Sequence, residues 1–78
     1  MSEWDFEVMT VYEAQFYPQM DKVLAKAVGR IPTENGMGYG IRDVGWLCKS
    51  ESEAKRIASI LTELGLDPII NDWREGTK

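Results

Sequence analysis

The sequence predicts a small α+β domain in which two helices pack on one face of a mainly antiparallel β-sheet. Two segments carry apolar residues at the three- and four-residue spacing of helices, and three segments carry them at every second position, as strands do. The elements follow the order strand, helix, short strand, strand, helix, strand. Residues 1–78 are expected to form a single domain, because a chain of this length supports one small core.

The first predicted strand runs from Trp4 to Tyr12. One face of this strand, read at a period of two, consists of Trp4, Phe6, Val8 and Tyr12. Met9 and Val11 make the centre of the opposite face apolar as well. Apolar residues on both faces are typical of a central strand, so we expect this strand in the middle of the sheet, with its second face partly covered.

The first predicted helix opens at Pro18, since proline suits a first helical turn, where its missing N–H is not needed. Gly29 is expected to end it. The apolar stripe at helical spacing consists of Met20, Val23, Leu24, Ala27, Val28 and Ile31.

The connection after this helix contains Asn35-Gly36, a strong two-residue hairpin signal. A hairpin there would make Arg30 to Thr33 a short strand that pairs with the start of the next strand. Pro32 would confine that short strand to an edge of the sheet, because proline cannot donate to a ladder. The sequence leaves open whether Arg30 to Thr33 is a true strand.

The third predicted strand spans Met37 to Lys49 and changes phase in its middle. Tyr39 and Ile41 share one parity, whereas the apolar residues of the other parity are Val44, Trp46 and Cys48. An inserted residue would repair this mismatch, and three glycines surround it. We therefore predict a β-bulge at Arg42-Asp43.

The second predicted helix has the clearest boundaries. Ser50 and Glu53 have the spacing of a capping box at its start, and Gly65 is placed to end it in a left-handed conformation. Its apolar stripe consists of Ala54, Ile57, Ala58, Leu61 and Leu64, with Ile60 beside it. Ile69 to Trp73 supplies the last strand.

Together these elements predict a ferredoxin-like βαββαβ two-layer sandwich with a short second edge strand. The unit after Lys49 has Glu53-Ala54 in its helix, Leu64-Gly65 at the helix end and a strand after it. This unit is similar to units found in ACT and SPOR domains, but its features are generic and assign no family.

Charge and composition exclude several functions. The net charge of −4 opposes binding to nucleic acid and to anionic membranes. The chain has no histidine and one cysteine, Cys48, so neither a His-activated nucleophile nor a structural zinc site is expected. No apolar run approaches the ~20 residues that span a bilayer. We expect a cytoplasmic protein without enzyme activity, cofactor or metal.

Two groups of residues are candidates for binding. Arginine suits carboxylate ligands, so Gly38, Gly40, Arg42 and Asp43 form a candidate ligand site, although we favour a local ion pair at a strand irregularity as the explanation of Arg42 and Asp43. The sheet face opposite the helices should carry an apolar patch, which is typical of an interaction surface. The candidate interface residues are Met9, Val11, Tyr39, Ile69 and Trp73.

The leading hypothesis is a small acidic protein-binding module, an adaptor or inhibitor of the kind that phages and mobile elements carry. It would act through the open sheet face, either by forming a homodimer or by binding another protein. The alternatives are an ACT-like sensor of a small ligand and a sheet domain that stacks single-stranded RNA on its aromatics.

Overall fold

A computed structural model of the chain describes residues 4–73. The elements in chain order are β1 (Phe6–Glu13), a short 3-10 helix (Ala14–Phe16), α1 (Gln19–Val28), β2 (Glu34–Gly38), β3 (Ile41–Cys48), α2 (Glu51–Glu63) and β4 (Ile69–Asp72). The four strands form one sheet in the order β2-β3-β1-β4, and every neighbouring pair is antiparallel. The predicted α+β class, with two helices and an antiparallel sheet, is confirmed, and the arrangement is consistent with a ferredoxin-like domain.

One face of the sheet and both helices form the core. The sheet contributes the even-numbered residues of β1 and β3, with Val8 facing Trp46 and Phe6 facing Cys48 across the two strands. The helices contribute Leu24, Val28, Ala54, Ile57 and Leu61. Both helices therefore lie on the same face, and β1 is central, as its two apolar faces predicted. Neither helix within residues 4–73 is long and apolar enough to cross a membrane.

The boundaries of α2 follow the sequence signals. The backbone N–H of Glu53 donates to the Ser50 hydroxyl at 3.2 Å. This bond gives an acceptor to one of the N–H groups of the first turn that have no partner within the helix. Gly65 has a φ of +88°, and the N–H groups of Gly65 and Leu66 donate to the carbonyls of Thr62 and Leu61. These two bonds make a Schellman motif. The carboxylate of Glu53 pairs with the Arg30 guanidinium at 2.7 Å.

The hairpin lies four residues beyond its predicted position. Gly38 faces Ile41, so the two-residue loop is Tyr39-Gly40, with φ values of +54° and +76°. Positive φ at both central positions is the type I′ geometry. The prediction of a turn at Asn35-Gly36 is wrong, and residues 30–33, which the sequence left open as a short strand, do not form one. A turn at Asn35-Gly36 would have paired β3 with a segment containing Pro32, which lacks an N–H donor.

The predicted bulge in β3 is also wrong. The pairing with β1 is continuous from Ile41 opposite Glu13 to Cys48 opposite Phe6. The apparent phase break arises because Arg42 is buried on the helix face, at the same parity as Val44 and Trp46.

The segment between α1 and β2 covers the part of β3 that β2 does not reach. The Thr33 N–H donates to the Gly45 carbonyl at 2.9 Å, and the Leu47 N–H donates to the Thr33 hydroxyl at 2.9 Å. The Arg30 guanidinium donates to the Leu47 carbonyl at 2.7 Å. Two side chains and one backbone N–H thus form hydrogen bonds with backbone groups of β3 that would otherwise be unpaired at the edge of the sheet.

Candidate functional site: the open face of the sheet

The sheet face opposite the helices carries most of the predicted interface residues. Met9 on β1 faces Ile69 on β4, and Val11 follows on the same face, two residues along β1. Val11 and Ile69 are 53% and 62% exposed, whereas Met9 is half-buried between its neighbours. These three side chains form one apolar patch, which we call the open-face patch.

Trp73 continues this patch beyond the end of β4. Its backbone N–H donates to the Asp5 carbonyl at 2.8 Å, so the ladder with the first strand extends one step. Strand alternation places the indole on the same face as Ile69, and it is 48% exposed. Tyr39, in contrast, lies in the hairpin turn at the opposite end of the sheet, with its side chain in solvent.

Ile41 was not among the predicted interface residues. It faces Glu13 across β3 and β1, on the same face as Val11, and it is exposed. Because Ile41 and Tyr39 share one parity, the sequence could have placed Ile41 on the same face as Tyr39. The predicted bulge at Arg42-Asp43 left unclear which face of the sheet that parity corresponds to.

Carboxylates surround the apolar residues. Within the strand residues 6–13, 34–38, 41–48 and 69–72, the positions that face away from the helices contain four acids and no lysine or arginine. The acids are Glu7, Glu13, Glu34 and Asp43. Lys49 lies one residue past β3, with its ammonium 5.4 Å from the centre of the Trp4 ring. The open face therefore combines apolar side chains with an excess of negative charge.

The candidate ligand residues do not come together. Arg42 points toward the helices and Asp43 toward the open face, because adjacent strand residues alternate. Gly38 and Gly40 flank Tyr39 in the hairpin, where the Gly40 carbonyl accepts from the Ala14 N–H at 2.9 Å.

Arg42 is already engaged in a buried network under the helices. Its Nη2 and Nε donate to the two carboxylate oxygens of Asp21 on α1, at 2.5 and 3.2 Å. The Tyr12 hydroxyl donates to the same carboxylate, and the Tyr17 ring stacks 4.5 Å from the guanidinium carbon. Burial and the hydrogen bond to Asp21 raise the pKa of Tyr12 to about 12, so it remains a donor. This network ties α1 to the sheet and leaves the guanidinium fork occupied.

Cys48 belongs to the core. It is buried, and burial together with the nearby charge of Glu53 raises the pKa of its thiol. The thiol form is therefore favoured over the nucleophilic thiolate.

Comparison of the chain with protein-family models, with curated proteins and with solved structures finds no match.

Proposed function

We propose that this chain is a non-enzymatic protein-binding module whose open sheet face docks on a basic surface of another protein. The observation that carries the proposal is the open-face patch of Met9, Val11 and Ile69, which Trp73 extends and which carboxylate side chains surround. Exposed apolar residues supply binding free energy when they are buried, and aromatic residues are favoured anchors at interfaces. The surrounding charges select the partner and speed its approach.

The same charges favour a different protein over a second copy of this chain as the partner. Two copies that met through this face would bring Glu13 and Asp43 of each toward the like charges of the other. Close like charges oppose association unless they are screened or neutralised. Phosphates would meet the same repulsion, which also disfavours the alternative of single-stranded RNA on this sheet. The role that fits is an adaptor or an inhibitor.

The fold and location that accompany this proposal are a ferredoxin-like βαββαβ topology and the cytoplasm. The strand order and the placement of both helices on one face support the topology. A buried, unpaired Cys48 fits a reducing compartment.

Two valine variants test the docking face. Val11 on the open face and Val23 on α1 have similar exposures of 53% and 48%. Val11→Asp places a charge within the open-face patch, whereas Val23→Asp places the same charge on the helix side. Proteins captured by the wild type and by Val23→Asp, but lost with Val11→Asp, are the expected result. Binding that both variants retain or both lose would refute docking through this face.

Salt dependence and oligomeric state complete the test. The affinity for a captured partner should fall as salt rises, because charge complementarity is screened. The wild type should sediment as a monomer at micromolar concentration. A dimer that Val11→Asp dissociates would instead support self-association through the open face.

A further inference from the structure

The open face contains a carboxylate that is almost completely buried. Glu7 on β1 is 4% exposed, although nothing from the helix layer covers this side of the sheet. Asn71 on β4 donates from Nδ2 to Glu7 Oε1 at 3.1 Å. Burial of an ionised carboxylate is costly unless its oxygens have partners. The side of Glu7 away from β4 therefore needs a second partner.

That partner is Glu34, which reaches Glu7 from a strand that is not its neighbour. β3 lies between β1 and β2, so the two backbones are about 10 Å apart. Gly45 of β3 faces Glu34 on one side and Met9 on the other. A Cβ at Gly45 would lie 3.6 Å from Glu34 Oε1 and 3.4 Å from Met9 Cγ. The Glu34 carboxyl thus rests over the glycine, on its way from β2 toward β1, and a hydrogen bond with Glu7 is the first cause of the raised pKa of Glu34.

A hydrogen bond between two carboxyl groups requires a proton. Ionised carboxylates only accept, and two of them in contact repel, so one must be protonated for the pair to hold together. Glu7 is held in place by burial and by Asn71, whereas Glu34 is exposed and free to turn into water. Loss of the proton should release Glu34 into water.

We propose that Glu7 and Glu34 share one proton in the free protein, and that basic partners dock on the open face with release of this proton. The second half rests on the proposed function; the first half does not. A lysine or arginine side chain from the partner would take the position of the proton between the two carboxylates. Docking should therefore strengthen as pH rises through neutrality.

The surroundings of the pair support this range. The hydrogen bond to Glu7, burial and the charge of Glu7 together raise the pKa of Glu34 to about 7. The facing groups are Asn71 on β4, which is uncharged, Asp43 on β3, which adds negative charge, and Lys49 beyond β3, whose ammonium lies over Trp4. Since the pKa in the folded state is above the ordinary 4.5, this proton stabilises the fold at low pH, and the contribution is lost as pH rises through about 7.

The first experiment uses the free protein. Side-chain carboxyl carbons are followed by NMR from acid to alkaline pH in the wild type and in Glu34→Gln, with Glu63→Gln on the exposed end of α2 as the matched control. The expected result is a transition near pH 7 in the wild type and in Glu63→Gln that is absent from Glu34→Gln. Gly45→Val, which fills the space over β3, should also abolish it. A wild-type Glu34 that titrates near 4.5 would overturn the shared proton.

The second experiment measures binding of decalysine, a basic probe, at pH 6 and pH 8. The wild type should bind about tenfold more tightly at the higher pH, because the deprotonated fraction of a group with a pKa near 7 rises about tenfold over this range. Glu34→Gln should bind with the same affinity at both. A wild type without pH dependence would overturn the proton-linked docking. The Val11 and Val23 variants test the docking face independently of pH. A failure of the proposed docking face can therefore be distinguished from a failure of the proton-linked docking.

Discussion

Replacing Asp21 with alanine should be among the most damaging single changes outside the apolar core. The Asp21 carboxylate accepts from two nitrogens of Arg42 and from the Tyr12 hydroxyl. The side chains of Arg42 and Asp21 are only 9% and 18% exposed. Asp21→Ala would therefore leave a buried guanidinium without its counter-charge and a buried hydroxyl without its acceptor.

The expected cost follows from this burial. Removing one partner of a buried ion pair destabilises by about 3–5 kcal/mol, because the remaining charge is uncompensated. The whole domain is expected to have a free energy of unfolding of roughly 4–12 kcal/mol, from typical values per residue. Asp21→Ala should consume a large part of that stability. The double variant Asp21→Ala/Arg42→Met should recover most of the loss, because it removes the buried charge together with its partner.

Urea denaturation followed by circular dichroism and by tryptophan fluorescence, to which the buried Trp46 contributes, measures these differences. The control is Lys55→Ala, which breaks the exposed Glu51–Lys55 pair of α2. That pair should contribute only about 0.3–0.5 kcal/mol. If Asp21→Ala costs no more than Lys55→Ala, or if the double variant is less stable than Asp21→Ala alone, the network does not stabilise the fold as argued.

Four further substitutions have defined outcomes. Ser50→Ala removes the hydrogen-bond acceptor at the start of α2 and should destabilise the fold by about 1 kcal/mol. Gly65→Ala should also destabilise it, because the φ of +88° at this position disfavours alanine. An unchanged urea midpoint for either variant would contradict the helix end assigned there. Tyr39→Asn should stabilise by up to about 1 kcal/mol, since asparagine tolerates the φ of +54° and the fully exposed tyrosine ring loses no packing; a lower melting temperature would argue against the type I′ turn. Burial raises the pKa of Asp21, but hydrogen bonds from Arg42 and Tyr12 outweigh burial and lower this pKa below the ordinary 3.8. The ionised Asp21 therefore stabilises the fold fully above pH 3.8, and this stabilisation is lost as pH falls through the pKa of the folded state. In a pH titration of the unfolding free energy, Asp21→Asn should lack this loss of stability in acid.

Local signals predicted the parts of the fold whose causes are local. The cap at Ser50, the stop at Gly65 and the left-handed end of α1 at Gly29 each depend on the conformation of a few neighbouring residues. The central position of β1 was also predicted from the sequence, from the apolar residues at the centre of both of its faces.

The position of the hairpin and the phase of β3 depend on contacts that are distant in sequence. Arg42 is polar, so the alternation of apolar residues in β3 appeared to break there, yet its charge is matched by Asp21 on α1. A salt bridge between two such separated residues leaves no periodic signal. The turn at Tyr39-Gly40 sets the pairing of β2 with β3, whereas the separate pairing of β3 with β1 places Arg42 opposite Tyr12, beside the same carboxylate.

The pair of Glu7 and Glu34 was missed for a similar reason. Acids at every second position of a strand usually indicate a solvated face, so the sequence does not predict the burial of Glu7. Its burial comes from two different strands, with Asn71 on one side and Glu34 leaning over Gly45 on the other. Only the strand order brings these residues together.

The central position of β1 also has a kinetic consequence. The strand pairs on one side with residues 41–48 and on the other with residues 69–72, so both of its ladders close long loops of chain. The entropy of closing those loops must be lost before the pairings stabilise the sheet, which slows folding relative to a helical bundle of equal size. The helix α2, whose ends are determined locally, can form earlier, and we expect the pairing of β1 with β4 to be among the last steps. Until that step, the apolar residues on both faces of β1 are exposed, and this is the stage at which the chain is most prone to aggregation.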